Sequence, residues 1–271
     1  MNTGSVATQA QVTQAWEPVL QQCGEQALDL GEQILAVAHQ IAANPLRGPL
    51  TDPGRSPEAK TALARRLFAE HVDGRVVELL GALVRGRWSK PTDLSHAMHD
   101  LGIQAILAGA RAANRLDEVE QEVFSVYNLL VDNRDLRLAL EPSKRTSQDS
   151  RVSLAHKVLG PSLSSSAMSL VTWCVRHETE GGVPRNLRRV AELAAALQNR
   201  TIADVTSAIP LSPEQEARLE RILEERLGTD VELNLIVDPD VVGGVRVRVR
   251  DLIIDSTVHS SLGGLRTQLA G

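Results

Sequence analysis

The chain has 271 residues, 42 % of them hydrophobic and only 2 % aromatic, and carries a formal net charge of −5. That length suits about two domains, and a core drawn from Leu, Val, Ile and Ala rather than from aromatics favours helices packed on helices. The acidic balance argues against a nucleic-acid binder, which shows a basic footprint.

The chain opens on MNTGSVATQAQVTQAW, with neither a charged start nor an apolar run, so a signal peptide is not expected. No window reaches the roughly 18 apolar residues a membrane span needs. The expectation is a soluble, cytoplasmic chain that meets a membrane only through a partner.

Residues 12 to about 200 read as helices almost throughout. In LDEVEQEVFSVYNLLVDN, Leu116, Val119, Val123, Val126 and Leu130 recur at steps of three and four and form one apolar stripe. Segments rich in Pro, Gly, Ser or Asp break the pattern at 44–57, 87–94, 140–150 and 179–186. The helical part also repeats itself. Ile34, Val37 and Ile41 align with Val123, Val126 and Leu130, and Asn44 aligns with Asn133. LRGPL then meets LRLAL, Leu63 meets Leu154, and VVELLGALVR from Val76 meets AMSLVTWCVR from Ala167. The offset drifts from 89 to 91, as single-residue loop insertions would make it. The shared order of long helix, short helix, loop and two further helices favours a duplication.

Near residue 200 the period changes. TIADVTSAI is β-branched and partly alternating. The helix that comes next has Ser212 as N-cap, Pro213 at its first position and Gln215 to complete a capping box. Leu219, Ile222, Leu223 and Leu227 are its expected buried face, with Gly228 to close it. VELNLIV alternates at Val231, Leu233, Leu235 and Val237. Asp238 and Pro239 start a turn, and Gly243 and Gly244 can take the positive φ that re-entry into a strand demands. The next strand places Val245, Val247 and Val249 inward and Arg246, Arg248 and Arg250 outward. This arginine row is read first as a solvated face, with a contact surface as the alternative. A short strand, LII, precedes a last helix from Asp255 or Ser256, with the stripe Val258, Leu262, Leu265 and Leu269. Gly263 and Gly264 weaken it by about 1 kcal/mol each relative to alanine.

Two stretches of this tail, VTSAIPLSPEQEARLERIL and VDPDVVGGVRVRVRDLIIDSTV, closely resemble the C-terminal domain of the delta subunit of F-type ATP synthases, the oligomycin-sensitivity-conferring protein family. Ala203, Val205, Ala208, Pro210, Leu211 and Ser212 match the family's entry pattern. Val237, Asp238 and Pro239 match its turn, Gly243 and Gly244 its glycine pair, and Ile254, Asp255, Thr257 and Val258 its exit into the last helix. Arg250 stands where the family usually has glycine, which puts the turn before the last strand in question.

The resemblance covers about 95–271 and implies a mainly α fold. Residues 95–200 would form the family's six-helix-type N-terminal bundle and 201–271 a small α+β domain. Residues 1–94 would be an extra helical segment, a partial copy of the bundle, as in long actinobacterial-type members. It implies no catalysis and no cofactor, but a stator role in ATP synthesis and hydrogen ion transport. The expected partners are the N-terminal helix of an alpha subunit of the catalytic head and the b subunit of the peripheral stalk, on the cytoplasmic side of the cell membrane.

Other chemistry is weakly represented. GALVRGRW from Gly81 has a P-loop's glycine spacing but lacks its Lys and Ser/Thr. His96 and His99 stand three apart without the further ligands a metal site needs. Cys23 and Cys174 are far apart and fit neither a disulfide framework nor zinc. GGVPRN from Gly181 reads as a loop, and Trp16, Trp88 and Trp173 read as core or rim packing. The rival readings are a helical adaptor or nucleic-acid-binding regulator that uses the arginine strand, and an enzyme for which no residue can be named.

Overall fold

The computed structural model describes residues 3–198, 200–227, 230–238, 244–249 and 252–255. It forms two compact units, Met1–Ala194 and Ala195–Gly271. The first is helical: α1 (Thr3–Cys23), α2 (Ala27–Ala43), α3 (Arg47–Thr51), α4 (Pro57–Phe68), α5 (Gly74–Arg85), α6 (Pro91–Ala112), α7 (Leu116–Asp132), α8 (Arg134–Leu140), α9 (Gln148–Leu159), α10 (Ser165–Arg176) and α11 (Gly182–Leu197). Helix starts nine residues before the expected 12, and α11 takes in most of the expected GGVPRN loop, since proline at Pro184 is tolerated in a helix's first turn. The 44–57 break contains the short α3. The glycines of GALVRGRW belong to α5 and its C-terminal end, so their spacing forms no phosphate loop.

Helix α6 is the hub of this unit. Residues on almost every side of it are buried, and it packs against α1, α2, α3, α5, α7 and α10. Its closest neighbour is α2, and glycine sets that approach. A Cβ on Gly31 would lie 2.7 Å from Gly102 O and 2.8 Å from Ile106 N, both backbone atoms of α6. A Cβ on Gly109 would lie 2.9 Å from Leu28 N. No larger residue fits there without moving one helix. The core around this crossing joins Leu30, Ile34 and Ile41 of α2 to Leu80 and Leu83 of α5 and to Leu94, Met98 and Leu101 of α6. Each such buried side chain contributes on the order of 1.5–3 kcal/mol relative to exposure. Asn114, at φ 55, ends α6 with Arg115 N–H bonded to Ala110 O at 2.8 Å and Asn114 N–H to Arg111 O at 3.0 Å. These are the two bonds of a left-handed C-terminal cap.

The helix order of 27–112 recurs in 116–197, so α2–α6 correspond to α7–α11. The likeness extends to polar detail. Ser56 caps α4 by accepting from Ala59 N–H, and Ser147 caps α9 by accepting from Ser150 N–H, each at 3.2 Å. Gln33 Oε1 of α2 accepts from Asp73 N–H, the cap residue of α5, at 2.7 Å. Its counterpart Glu122 on α7 accepts from Ser164 N–H at 2.9 Å and from Ser164 Oγ–H at 2.5 Å, at the cap of α10. Buried residues match as well: Ile34 with Val123, Ile41 with Leu130, and Leu50 with Leu140.

Among its described residues, the second unit is a four-stranded sheet with one covering helix. Its elements are β1 (Arg200–Ser207), α12 (Pro213–Leu227), β2 (Asp230–Val237), β3 (Val245–Val249) and β4 (Leu252–Asp255), in spatial order β2-β1-β3-β4. The β1–β2 pair is parallel, which requires the α12 crossover; the other pairs are antiparallel. The capping box forms as expected: Gln215 N–H donates to Ser212 Oγ at 3.3 Å, and Ser212 N–H to Gln215 Oε1 at 2.8 Å. Ala203, Val205, Leu223, Val231, Val247 and Val249 make a small core.

Three residues expected inside are instead exposed: Ile222 on α12, and Leu235 and Val237 on β2. Ile222 is one helical step from Leu223, at the margin of the stripe. β2 is an edge strand, buried at Val231 near its start and exposed from Leu235 to Val237. Gly228 and the residues expected to form the last helix, Val258, Leu262, Gly263, Gly264, Leu265 and Leu269 among them, lie outside the described residues.

Two predictions concern glycine. Gly31→Ala should destabilise the chain by roughly 1–3 kcal/mol through overpacking against backbone. Gly74→Ala, where a Cβ meets nothing within 4 Å, should be neutral or stabilising by up to about 1 kcal/mol. Urea midpoints of the two variants check this contrast in sign. Gly244 sits at φ 79, where a β-branched residue is an outlier. Gly244→Val should cost about 1–3 kcal/mol, read as an earlier loss of strand signal by circular dichroism on heating.

Candidate functional site

In the helical unit α2, α9 and α10 enclose a groove of ≈ 540 Å³, with His99 of α6 also in its lining. Helix α10 reaches it because its two faces differ. Ala167, Leu170, Val171 and Cys174 are buried in the core. Ser165, Ser169, Thr172 and Arg176, spaced three or four apart, line the groove. Leu35, Met168 and Trp173 supply its apolar surface, and Glu32 and Gln40 of α2 its opposite wall. Ser169 Oγ–H donates across it to Glu32 Oε1.

Four of the chain's seven histidines, His39, His99, His156 and His177, line this groove. Trp173 Nε1–H donates to His99 Nδ1 at 3.0 Å, so a neutral His99 carries its proton on Nε2. The His177 ring stacks on Trp173 with centroids 5.0 Å apart and planes 17° apart, and lies 4.2 Å from the His99 ring. Burial holds His99 well below its ordinary pKa, and the nearby His177, His96 and His39 act in the same direction. His177 is lowered to about 4, first by burial and then by His96, with Asp100 opposing. At neutral pH both rings are uncharged, and with Trp173 they form one aromatic cluster.

His96 is exposed and His99 buried, so the two do not converge. Among the described residues no group of three or more His, Cys, Asp or Glu is arranged to hold a metal. Asp100 is engaged elsewhere. Arg189 of α11 grips it with Nη2 to Oδ2 at 2.7 Å and Nε to Oδ1 at 3.1 Å, and Gln9 of α1 donates to it at 2.8 Å. Trp16 is buried in the core, and Trp88 packs on that core and donates to Leu83 O at 2.8 Å. A groove with an apolar base, small hydroxyl side chains along one wall and polar rims suits the side of an amphipathic helix.

In the tail, Val237 is exposed at the end of β2, opposite Ser207, and Asp238 N–H donates to Ser207 O at 2.9 Å. The pairing thus runs one residue into the expected turn. Gly244 takes its positive φ immediately before β3. Ile254 and Asp255 lie in β4 opposite Val247 and Arg246. Pro239, Gly243 and Arg250 lie outside the described residues.

Val247 and Val249 are buried while Arg246 and Arg248 are exposed, as the alternation demands. The alternation does not reveal what else lies on the arginine face. Asp204 of β1 is directly opposite Arg248, yet is buried and accepts a hydrogen bond from Asn234 Nδ2 at 2.9 Å. Asp204 thus lies on the arginine face, with Arg248 as its cross-strand neighbour. The period-two pattern of TIADVTSAI puts Asp204 on that face, but its cross-strand partner depends on register.

Comparison with known proteins adds an independent line. The family model "ATP synthase delta (OSCP) subunit" matches residues 104–269. "ATP synthase subunit delta" of Beutenbergia cavernae is 37 % identical over 272 residues, covering all of both chains. The protein of the same name in Streptomyces griseus is 33 % identical over 272 residues, again covering all of both. That of Streptomyces coelicolor is 38 % identical over 237 residues, 88 % of this chain and 85 % of its own. A chain in the structure of the Toxoplasma gondii mitochondrial ATP synthase hexamer is 22 % identical over 62 % of this chain and 95 % of its own, with a TM-score of 0.42.

The histidine cluster predicts an acid limb of instability. The folded pKa of His177, about 4, lies below its ordinary 6.5. Between those values the unfolded chain binds a proton that the folded chain does not, so stability falls as pH drops from about 6.5 and the loss levels off near 4. His177→Asn should flatten this slope. The check is the urea midpoint of both proteins at pH 7 and pH 5; equal slopes would remove His177 as a cause.

Proposed function

The chain belongs to the ATP synthase delta (OSCP) subunit family, and from that premise we propose that it is a stator subunit, tying the top of the catalytic head to the peripheral stalk. Members of this family are structural rather than catalytic subunits of ATP synthase. The carrying observation is similarity along the entire length, extra N-terminal helices included, to proteins named ATP synthase subunit delta.

Rotary catalysis needs a stationary link, because an untethered head turns with the rotor and proton flow is no longer coupled to phosphorylation. In this reading the groove beside α10 receives the N-terminal helix of an alpha subunit, and the C-terminal unit holds the end of the b subunit. Residues 1–94 are then a partial copy of the family's bundle, with 95–200 the bundle proper and 201–271 the stalk-binding domain. Because α2 walls the groove opposite α10, the extra copy helps to shape the head-binding site. Helix-in-groove contacts of this kind bury on the order of 1,200–2,000 Å², and two tethered contacts give avidity beyond either one. No described helix is long and apolar enough to cross a membrane, which accords with a peripheral position reached through the complex.

A chain ending at Arg200 keeps the groove but loses the sheet and α12. It should bind an alpha-subunit N-terminal peptide yet fail to bind the b subunit. Stripped membranes given this truncated chain should hydrolyse ATP but pump few protons per ATP, whereas the full chain restores coupling. Full coupling with the truncated chain would overturn the stator reading. Binding to DNA that weakens with salt would instead favour the arginine strand as a nucleic-acid surface.

A further inference from the structure

The repeat that pairs α2 with α7 covers the two helices unequally. On α2, Gly31, Leu35 and Ala38 are buried, and Leu35 and Gly31 lie against Gly102 of α6. At the offset of 89 their counterparts are Glu120, Phe124 and Tyr127. Phe124 is 52 % exposed, Val131 about two turns further on is 49 % exposed, and Tyr127 is half-buried. The counterpart of α6 is α11, which is tied to α6 through Arg189 and Asp100.

Three features say what suits this face. Phe124, Tyr127 and Val131 fall at i, i+3 and i+7, so they form one stripe about 10 Å long, away from the buried stripe of Val119, Val123, Val126 and Leu130. The whole chain has two phenylalanines and one tyrosine. Phe68 is in the core, while the other Phe and the sole Tyr are on this outward face, and aromatics of that kind anchor protein interfaces. Lastly, α7 carries Asp117, Glu118, Glu120, Glu122 and Asp132, with no Lys or Arg between 116 and 132; Glu118 pairs with Arg115 and Glu122 with the cap of α10, while Asp117 and Glu120, seven and four residues before Phe124, fall on its side of the helix.

We propose that the Phe124–Tyr127–Val131 face of α7 is a second helix-docking site. Its occupant is an amphipathic helix of a partner protein with a branched-aliphatic or small-residue stripe and Lys or Arg along its rim, lying on the face of α7 that corresponds to the α6-covered face of α2, at the wider spacing that the aromatic side chains impose. The site is separate from the groove beside α10. It rests on the proposed function only in that the partner is sought within the assembled ATP synthase.

The test is photo-crosslinking in the intact, purified complex. Benzoylphenylalanine replaces Phe124 in one full-length variant and Thr172, in the groove, in another. The expected result is that position 124 crosslinks to a single helix-forming segment with net positive charge, identified by mass spectrometry and different from the segment caught at 172. The double change Phe124→Glu and Val131→Glu, at exposed positions, should leave the urea midpoint near its starting value. It should weaken binding of a synthetic peptide of the segment caught at 124 by at least about tenfold, as loss of an aromatic anchor does. Crosslinking at 172 with none at 124 would overturn the second site and leave the stator reading standing. So would crosslinks at 124 to lipid, to an acidic segment or to a second copy of the chain. Silence at both positions would overturn the stator reading and the second site together.

Discussion

The close crossing of α2 and α6 is the constraint on which the helical unit depends. Backbone meets backbone at Gly31 and Gly102, with Gly109 repeating the approach where α2 begins. Close approach buries both helices, and α6 becomes a strut with buried residues on almost every side. Whatever α6 carries is thereby positioned by the whole unit. Met98 and Leu101 are in the core, His99 meets Trp173, and Asp100 is gripped by Arg189 and Gln9. A subunit proposed to resist torque gains from such a strut, because a packed interior yields little to small displacements.

Duplication of the helical pattern is used asymmetrically. The cap-to-helix hydrogen bonds recur at Gln33–Asp73 and Glu122–Ser164, so each half fixes its helices in the same way. The surfaces that result differ. In the first half, small residues on α2 admit α6. In the second, Phe124 and Tyr127 stand at the matching positions, and bulky aromatics there are incompatible with an equally close helix. The same arrangement leaves α10 with a polar, small-residue face across from α2, which is the groove. One scaffold thus yields both a covered helix face and an open groove.

The aromatic and imidazole cluster next to the groove has a cost and a use. Holding His99 and His177 neutral requires burial that disfavours their charged forms. In exchange, Trp173 satisfies its indole N–H on His99, and a flat stacked pair forms part of the groove wall. Among the described residues of the small C-terminal unit, six buried aliphatic side chains, a capping box and the left-handed backbone at Gly244 support the sheet, and Asp204 is buried on the face that carries the arginines.

Periodicity, capping chemistry and repetition are local properties, and the sequence by itself determined the features that depend on them alone. The apolar stripe of α7, the Ser212–Gln215 box, the outward arginines of β3 and the register of the repeat were all legible. So was the family, because its turn and glycine positions are set by backbone demands that few residues meet. Tertiary structure alone decided which neighbour covers each face. Leu235 and Val237 alternate like core residues yet are exposed, at the far end of β2, an edge strand. His99 reads in the sequence as half of a pair with His96, but its real partners, Trp173 and His177, are more than seventy residues away. Gly31 and Gly102 gave no signal as a pair, since close approach is a relation between two helices. A hydrophobic pattern states which side of an element avoids water, while burial depends on what the rest of the chain can bring to that side.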